Sequence, residues 1–445
     1  MNQKMVISVG IDLARTAKHK AVIGAAAYSE VRTPKKAYSF PHSLEGFTSV
    51  KDYVLKVTKK DSLDGVGVLM EPTGEVWRDV AQFFHLQGAS VFYVRNDAVS
   101  ALRKAQHRFA KTDRIDAKVL AGIPWSLPYR MIPYAPMQER IRVLRDLSNH
   151  RATLVKEISR WKNRFKALME SSWKILLVSL PNELVFSQSM RAFWKRYPHP
   201  AYVVRSGRKR FHNWCEKNLH KRVIENLEEK IFNAALEGMA LWETLGRTRQ
   251  KRETQAYRMK DVMMVIVTLE KQLEIVEKRI NKAQKDVREC LVMRGIPGVG
   301  EVTSVTIASF IMPGRRFPSV REFASYTGFV SRVNSSGEHE IKGKRITKCG
   351  NRRIKRDLAL AADTAMRLDP QLAEFAVNLL IRGKHYNKVR VAVGRKIAIR
   401  AYSLLKRIES GEENVYYQYR DLDGRIITKK EAQKIAGDIW QSYKS

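Results

Sequence analysis

The spacing of apolar and polar residues changes twice along this chain. Up to about residue 130, short apolar runs bounded by turn residues predominate. Residues 6–14, 19–28, 65–70 and 89–94 read as strands, the first two joined through Arg15-Thr-Ala-Lys18 as a hairpin. Residues 75–86 instead set Val76, Val80, Phe83 and Phe84 on one helical face, and a second helix begins over residues 116–122.

From 131 to 290 the period becomes helical. Leu144, Leu147, Leu154, Ile158, Trp161, Phe165 and Leu168 recur at three-and-four spacing, broken by Arg151. Val262, Ile266, Leu269, Leu273, Val276 and Ile280 repeat the pattern without a break. Two such stripes predict a long antiparallel pair, a coiled coil between subunits, or two core helices of one bundle. The segment between them, interrupted by Pro181, Pro198 and Pro200, reads as a smaller helical insert. From 291 to 445 helices continue. Ile296-Pro-Gly-Val-Gly300 is a tight turn, Ser319-Val-Arg-Glu322 a capping box, and residues 389–408 a last basic amphipathic helix. The charged stretch after Gly411 reads as a peripheral basic tail. The expected class is therefore α/β followed by α, in three parts: 1–130, 131–290 and 291–445.

Charge narrows the function. The 445 residues carry 82 Lys and Arg against 45 Asp and Glu, a formal net charge of +37. Such a chain should bind a polyanion, nucleic acid first. No apolar run approaches the ~18 residues of a spanning helix, and the start has no signal-peptide core. Three scattered cysteines, Cys215, Cys290 and Cys349, suggest neither a disulfide framework nor a zinc site. A cytoplasmic protein without a membrane partner is expected.

Against that excess of positive charge, four carboxylates stand out. Asp12 ends a strand-like run, where burying an acid is costly unless a cation or hydrogen bonds stabilise it. Glu71 follows the apolar run 66–70, and Asp113 and Asp116 lie one turn apart at a helix start. Hard divalent cations such as Mg²⁺ take oxygen ligands from separate elements, and phosphodiester chemistry often uses two of them. Taken singly, Asp113 and Asp116 could cap a helix, and Glu71 and Asp12 could be turn residues. A second candidate is Asn334-Ser335-Ser336-Gly337, in a loop carrying Arg332, His339, Lys342, Lys344 and Arg345. A serine hydroxyl there could attack phosphorus if activated, although Ser-Ser-Gly is ordinarily a loop. The turn 296–300 could offer backbone N–H groups to a phosphate or simply join two helices. The basic helices 352–367 and 388–407 could lie along a phosphate backbone.

The blocks Val9-Gly-Ile-Asp-Leu-Ala14, Met70-Glu-Pro-Thr-Gly74, Lys111-Thr-Asp-Arg-Ile-Asp-Ala117, Ile296-Pro-Gly-Val-Gly300, and Ser336-Gly337 followed by Ile346-Thr-Lys-Cys-Gly-Asn351 occur in this order. They resemble the insertion-sequence one-ten group of DEDD transposases, relatives of the Piv invertase. Arg160-Trp-Lys-Asn-Arg164 and Arg196-Tyr-Pro-His-Pro200 look familiar too. The resemblance implies a RuvC-like, RNase-H-type first domain whose metal-binding set is Asp12, Glu71, Asp113 and Asp116. It implies a C-terminal transposase domain with a nucleophilic serine, Ser336 in preference to Ser335. It further implies a covalent serine–DNA intermediate, a noncoding bridge RNA pairing with donor and target DNA, and dimers that associate into a tetramer partly through the helical middle. The expected function is thus a Mg²⁺-dependent, RNA-guided site-specific recombinase of an insertion sequence. The alternatives are a metal-dependent nuclease of the Holliday-junction type, needing the acids but no serine, and a noncatalytic nucleic-acid-binding protein.

Overall fold

The computed structural model describes residues 6–14, 18–26, 30, 34, 36–94, 96–105, 112–219, 227–314, 317, 319–330, 335–336, 339–340 and 350–444. The chain forms two compact units. One comprises residues 1–138, 311–350 and 398–415, the other 139–310, 351–397 and 416–445.

The first unit is organised by β1 (Ile7–Asp12), β2 (His19–Ala25), β3 (Tyr38–Phe40), α1 (Leu44–Thr58), β4 (Val66–Met70), α2 (Val76–Leu86), β5 (Ser90–Val94), α3 (Asn96–Ala105), α4 (Asp113–Ser126) and β6 (Met131–Pro133). The strands form one sheet in the order β3-β2-β1-β4-β5-β6. The first three run antiparallel, β4 and β5 run parallel to β1, and β6 turns back. All five residues of β4 are buried, as a parallel strand covered on both faces requires. One face buries Ile7, Val9, Ile11 and Val68 with residues of α1 and α2, including Val50, Val54, Val80 and Phe84. On the other face Leu69 and Val94 join Leu102 of α3 and Leu120 and Ile123 of α4. The hairpin and four strands predicted from spacing are present, and α4 starts three residues earlier than predicted.

In the second unit α5 (Glu139–Ser172) has 34 residues and begins the helical region. It is followed by α6 (Lys174–Ser179), α7 (Asn182–Val185), α8 (Gln188–Arg196), α9 (Pro200–Ser206), α10 (Arg208–Asn218) and α11 (Leu227–Thr244). Then α12 (Arg249–Gln284), 36 residues long, returns along α5. Their partners fix an antiparallel register: Arg151 with Glu277 at 2.8 Å, Lys162 with Glu270 at 2.8 Å, and Gln255 donating to Ser171 at 2.9 Å. Arg151, the break in the apolar stripe, therefore marks an ion pair across the two helices. The intervening helices bury Trp173, Phe193, Trp194, Tyr197 and Phe211. Both indoles are satisfied: Trp173 donates to the Pro198 carbonyl and Trp194 to that of Val185.

Helices α13 (Arg288–Arg294) and α14 (Glu301–Ile311) flank the turn 296–300. In the first unit α15 (Val320–Thr327) is capped by Ser319, as the sequence predicts, and Phe323 stacks on Tyr402 at 4.6 Å. Strands β7 (Ser335–Ser336) and β8 (His339–Glu340) form a short ladder. Then come α16 (Arg352–Leu368), α17 (Pro370–Ile381), α18 (Tyr386–Glu409), the ribbon β9 (Tyr419–Arg420) with β10 (Ile426–Ile427), and α19 (Lys429–Lys444). The stretch after Gly411 departs from expectation. It carries six basic and six acidic residues, so it is not a basic tail. Nor is it peripheral: Ala432 and Ala436 are fully buried, Trp440 donates to the Met366 carbonyl, and Tyr417 bonds Asp369. Small apolar residues one turn apart let α19 lie close on α16 and α17.

Candidate active site

Parallel pairing of β1 with β4 sets Ile11 beside Met70, so the next residues, Asp12 and Glu71, leave neighbouring strands at the same end of the sheet. The second pair of acids reaches that end because α4 runs antiparallel to β1 and almost touches it. Ser8 donates its hydroxyl to the Ala121 carbonyl at 2.6 Å. A Cβ on Gly10 would stand 2.1 Å from the Ala117 carbonyl oxygen and 2.4 Å from the Ala121 nitrogen. Only glycine admits the helix at this depth. The N-terminus of α4 then points toward the strand ends and carries Asp113 and Asp116, with Thr112 as N-cap accepting from the Ile115 N–H.

Asp12 feels the other three acids. The Asp12 carboxyl is pushed up to about 6, first by burial, then by the negative charges of Asp113, Asp116 and Glu71, with the Leu13 N–H opposing. Asp116 is buried and takes a 2.6 Å ion pair from Arg103 of α3. Among the described residues no three His, Cys, Asp or Glu side chains are gathered tightly enough to hold a metal ion. The donor set nevertheless suits a hard cation: every group is a carboxylate, and their mutual repulsion at Asp12 is what a divalent charge relieves.

Next to this end lies a chain of polar groups that the sequence reading missed. The Ala14 N–H donates to Nδ1 of buried His19, whose Nε2 lies 3.0 Å from Nδ1 of His42, which in turn lies 3.3 Å from Asp79. Burial and His42 lower the His19 pKa, so it stays a neutral acceptor for the loop after Asp12.

Of the second candidate, Ser335 and Ser336 are placed as backbone in β7, opposite Glu340 and His339. Their side chains, with Asn334, Gly337, Arg332, Lys342, Lys344 and Arg345, lie outside the described residues, as does Cys349. Cys215 and Cys290 are buried free thiols, each raised to about 12 chiefly by burial. The turn 296–300 has a packing role: Gly298 has φ +77°, and a Cβ there would lie 2.2 Å from the Ala361 carbonyl oxygen of α16. Several cations of the basic helices serve the fold. Arg353 lies over Phe310, Arg356 pairs with Asp357 and Arg390 with Asp363. Arg382, Lys384 and Lys388, around the turn between α17 and α18, are exposed.

Two family profiles match the chain. One, described as a transposase of the DEDD IS110 type, covers residues 9–173; the other, the transposase IS116/IS110/IS902 family, covers residues 279–376. This chain belongs to the IS110 family of transposases. The first match contains all four acids and the second contains Ser335 and Ser336. Among curated relatives of this IS110-family enzyme, an insertion element IS110 protein of 43.6 kDa from Streptomyces coelicolor is 24% identical over 72% of this chain and 76% of its own length. An insertion element IS116 protein of 44.8 kDa from Streptomyces clavuligerus is 25% identical over 63% and 67%. The transposase for insertion sequence element IS1328 of Yersinia enterocolitica is 30% identical over 28% and 39%.

Proposed function

We propose that this IS110-family transposase is a site-specific recombinase that cuts and rejoins DNA through a covalent link to Ser336. One observation carries the reading: the pairing of β1 with β4 and the close approach of α4 to Gly10 bring carboxylates from β1, the end of β4 and the start of α4 to one end of the sheet. The strand order, antiparallel through β3-β2-β1 and then parallel through β4 and β5, supports a RuvC-like, RNase-H-type first domain.

Asp12, Glu71, Asp113 and Asp116 would hold Mg²⁺, which when bound supplies positive charge to a scissile phosphate. Arg103 holds Asp116 in place, and the His19 acceptor holds the chain just beyond Asp12. The Ser336 hydroxyl attacks phosphorus and gives up its proton, and one sugar oxygen leaves as a hydroxyl. A second sugar hydroxyl later displaces the serine, so the bond is conserved and no nucleotide is consumed. Donor DNA, target DNA and a noncoding bridge RNA are the polyanions the net charge of +37 would hold. Pairing by the RNA would supply sequence choice. Tyr257, Met264 and Ile275, exposed along the α5–α12 pair, support assembly of dimers into a tetramer through a coiled coil. Among the described residues no helix is long and apolar enough to cross a membrane.

The test is Ser336→Ala. It should keep folding and DNA binding while losing both strand joining and the denaturation-resistant protein–DNA adduct. Joining that persists after Ser335 is also replaced refutes the serine step. Metal-dependent cutting without any adduct under trapping conditions selects the nuclease reading.

A further inference from the structure

Helix α5 carries a feature that the acid site does not use. Ser159, Lys162, Asn163 and Lys166 fall at the spacing of one helical face, and with Asn182, Glu183 and Phe186 they line a cleft of about 340 Å³ within the second unit. That volume suits one nucleotide rather than a protein surface. Its chemistry is mixed in a particular way. The Lys162 and Lys166 ammonium groups lie 5.2 and 6.0 Å from the centre of the Phe186 ring, and Lys166 donates to the Asn182 amide oxygen at 2.7 Å. Glu270 is bonded to Lys162 at 2.8 Å and to Arg191 at 2.6 Å, so two cations meet one acid and the balance there is positive. Glu183 lines the cleft as well, so Lys162, Lys166 and Arg191 stand against two acids. The same helix continues the positive flank, with Arg164 stacked 4.7 Å over Trp161.

We infer that this cleft on α5 is a nucleotide subsite that grips a single-stranded nucleic acid, its phosphate between Lys162 and Lys166 and its base edge on Asn163 and Asn182. Lysines give point charges to a phosphate, amides offer a donor and an acceptor to a base edge, and Phe186 supplies the apolar wall on which bases settle. Duplex DNA presents its bases stacked and paired and leaves few free base edges for the two amides, whereas an unpaired segment offers them. The inference rests on the proposed reading only in taking a nucleic acid as the ligand.

The experiment measures binding of the full chain to short single-stranded DNA and RNA oligonucleotides and to a duplex, over a salt series. Metal-dependent cleavage is followed in parallel. The double variant Lys162→Ala/Lys166→Ala should weaken single-strand binding about tenfold and lower its salt slope by roughly 0.7, the contribution of the one phosphate they share. Duplex affinity should stay near wild type. Asn163→Ala/Asn182→Ala, which leaves charge intact, should weaken single-strand binding without moving the slope. Lys251→Ala/Lys260→Ala, exposed on α12, is the equal-charge control. The inference is overturned if that control loses as much as the cleft double, if duplex and single strands weaken together, or if the asparagine double binds as wild type does. Absence of metal-dependent cleavage by the wild-type protein, with its single-strand binding present and weakened in the cleft double, would count against the recombinase reading and leave the cleft standing. Whether DNA or RNA loses more identifies the strand it holds.

Discussion

Replacing Asp12 with Asn should make the metal-free protein more stable at neutral pH while ending its activity. Lifting a carboxyl from 3.8 to about 6 costs its ionised form about 3 kcal/mol before screening. Asp12 is partly exposed, so solvent reduces this to on the order of 1–2 kcal/mol. The sign follows from proton binding. Between pH 3.8 and about 6 the folded state holds more protons at Asp12 than the unfolded state does, so stability falls as pH rises and the penalty is complete above about 6. The amide carries no charge and escapes it. Denaturant unfolding at pH 4 and pH 7.5, in chelator and then with Mg²⁺, reads the effect. The variant should exceed wild type at pH 7.5 but not at pH 4, and Mg²⁺ should stabilise wild type far more than the variant. Equal responses of the two proteins to pH and to Mg²⁺ would refute the idea of a shared negative site around Asp12.

Three further outcomes are expected. Gly10→Ala should destabilise the first unit by about 1–3 kcal/mol or more, because the added carbon meets backbone atoms of α4 that cannot swing aside; cleavage should fall with it while helix content, measured by circular dichroism, falls little. Arg103→Ala leaves buried Asp116 without its 2.6 Å partner, costing about 1–3 kcal/mol, and should raise the Mg²⁺ concentration needed for cleavage. His19→Phe keeps a ring in the core but removes the acceptor for Ala14; kcat should drop with little change in DNA affinity, and a variant as active as wild type would show that the loop needs no such hold.

The sequence made the long elements legible. Both strand runs around Asp12, the helix over 76–86 and the stripes of α5 and α12 follow directly from spacing. The acids were visible because charge at the end of an apolar run is conspicuous. What escaped was short or relational. β3 and β6 have three residues each, too few to show a period. Helix α1, with Phe47, Val50 and Val54 buried at helical spacing, carried the signal and was passed over. Gly10 reads as one more small residue in a strand until α4 is laid against it. The pairing of Arg103 with Asp116 depends on how α3 and α4 meet, which neither helix announces alone. The stretch after Gly411 was misjudged because its charges are conspicuous and its buried alanines are not.

The first unit is assembled from three separated lengths of chain, the last of them residues 398–415. A ribosome must therefore reach residue 415 before that unit has all its parts, and a product terminated before residue 398 lacks one of them. That unit thus closes late in synthesis, after the long helical pair of the second unit has already emerged.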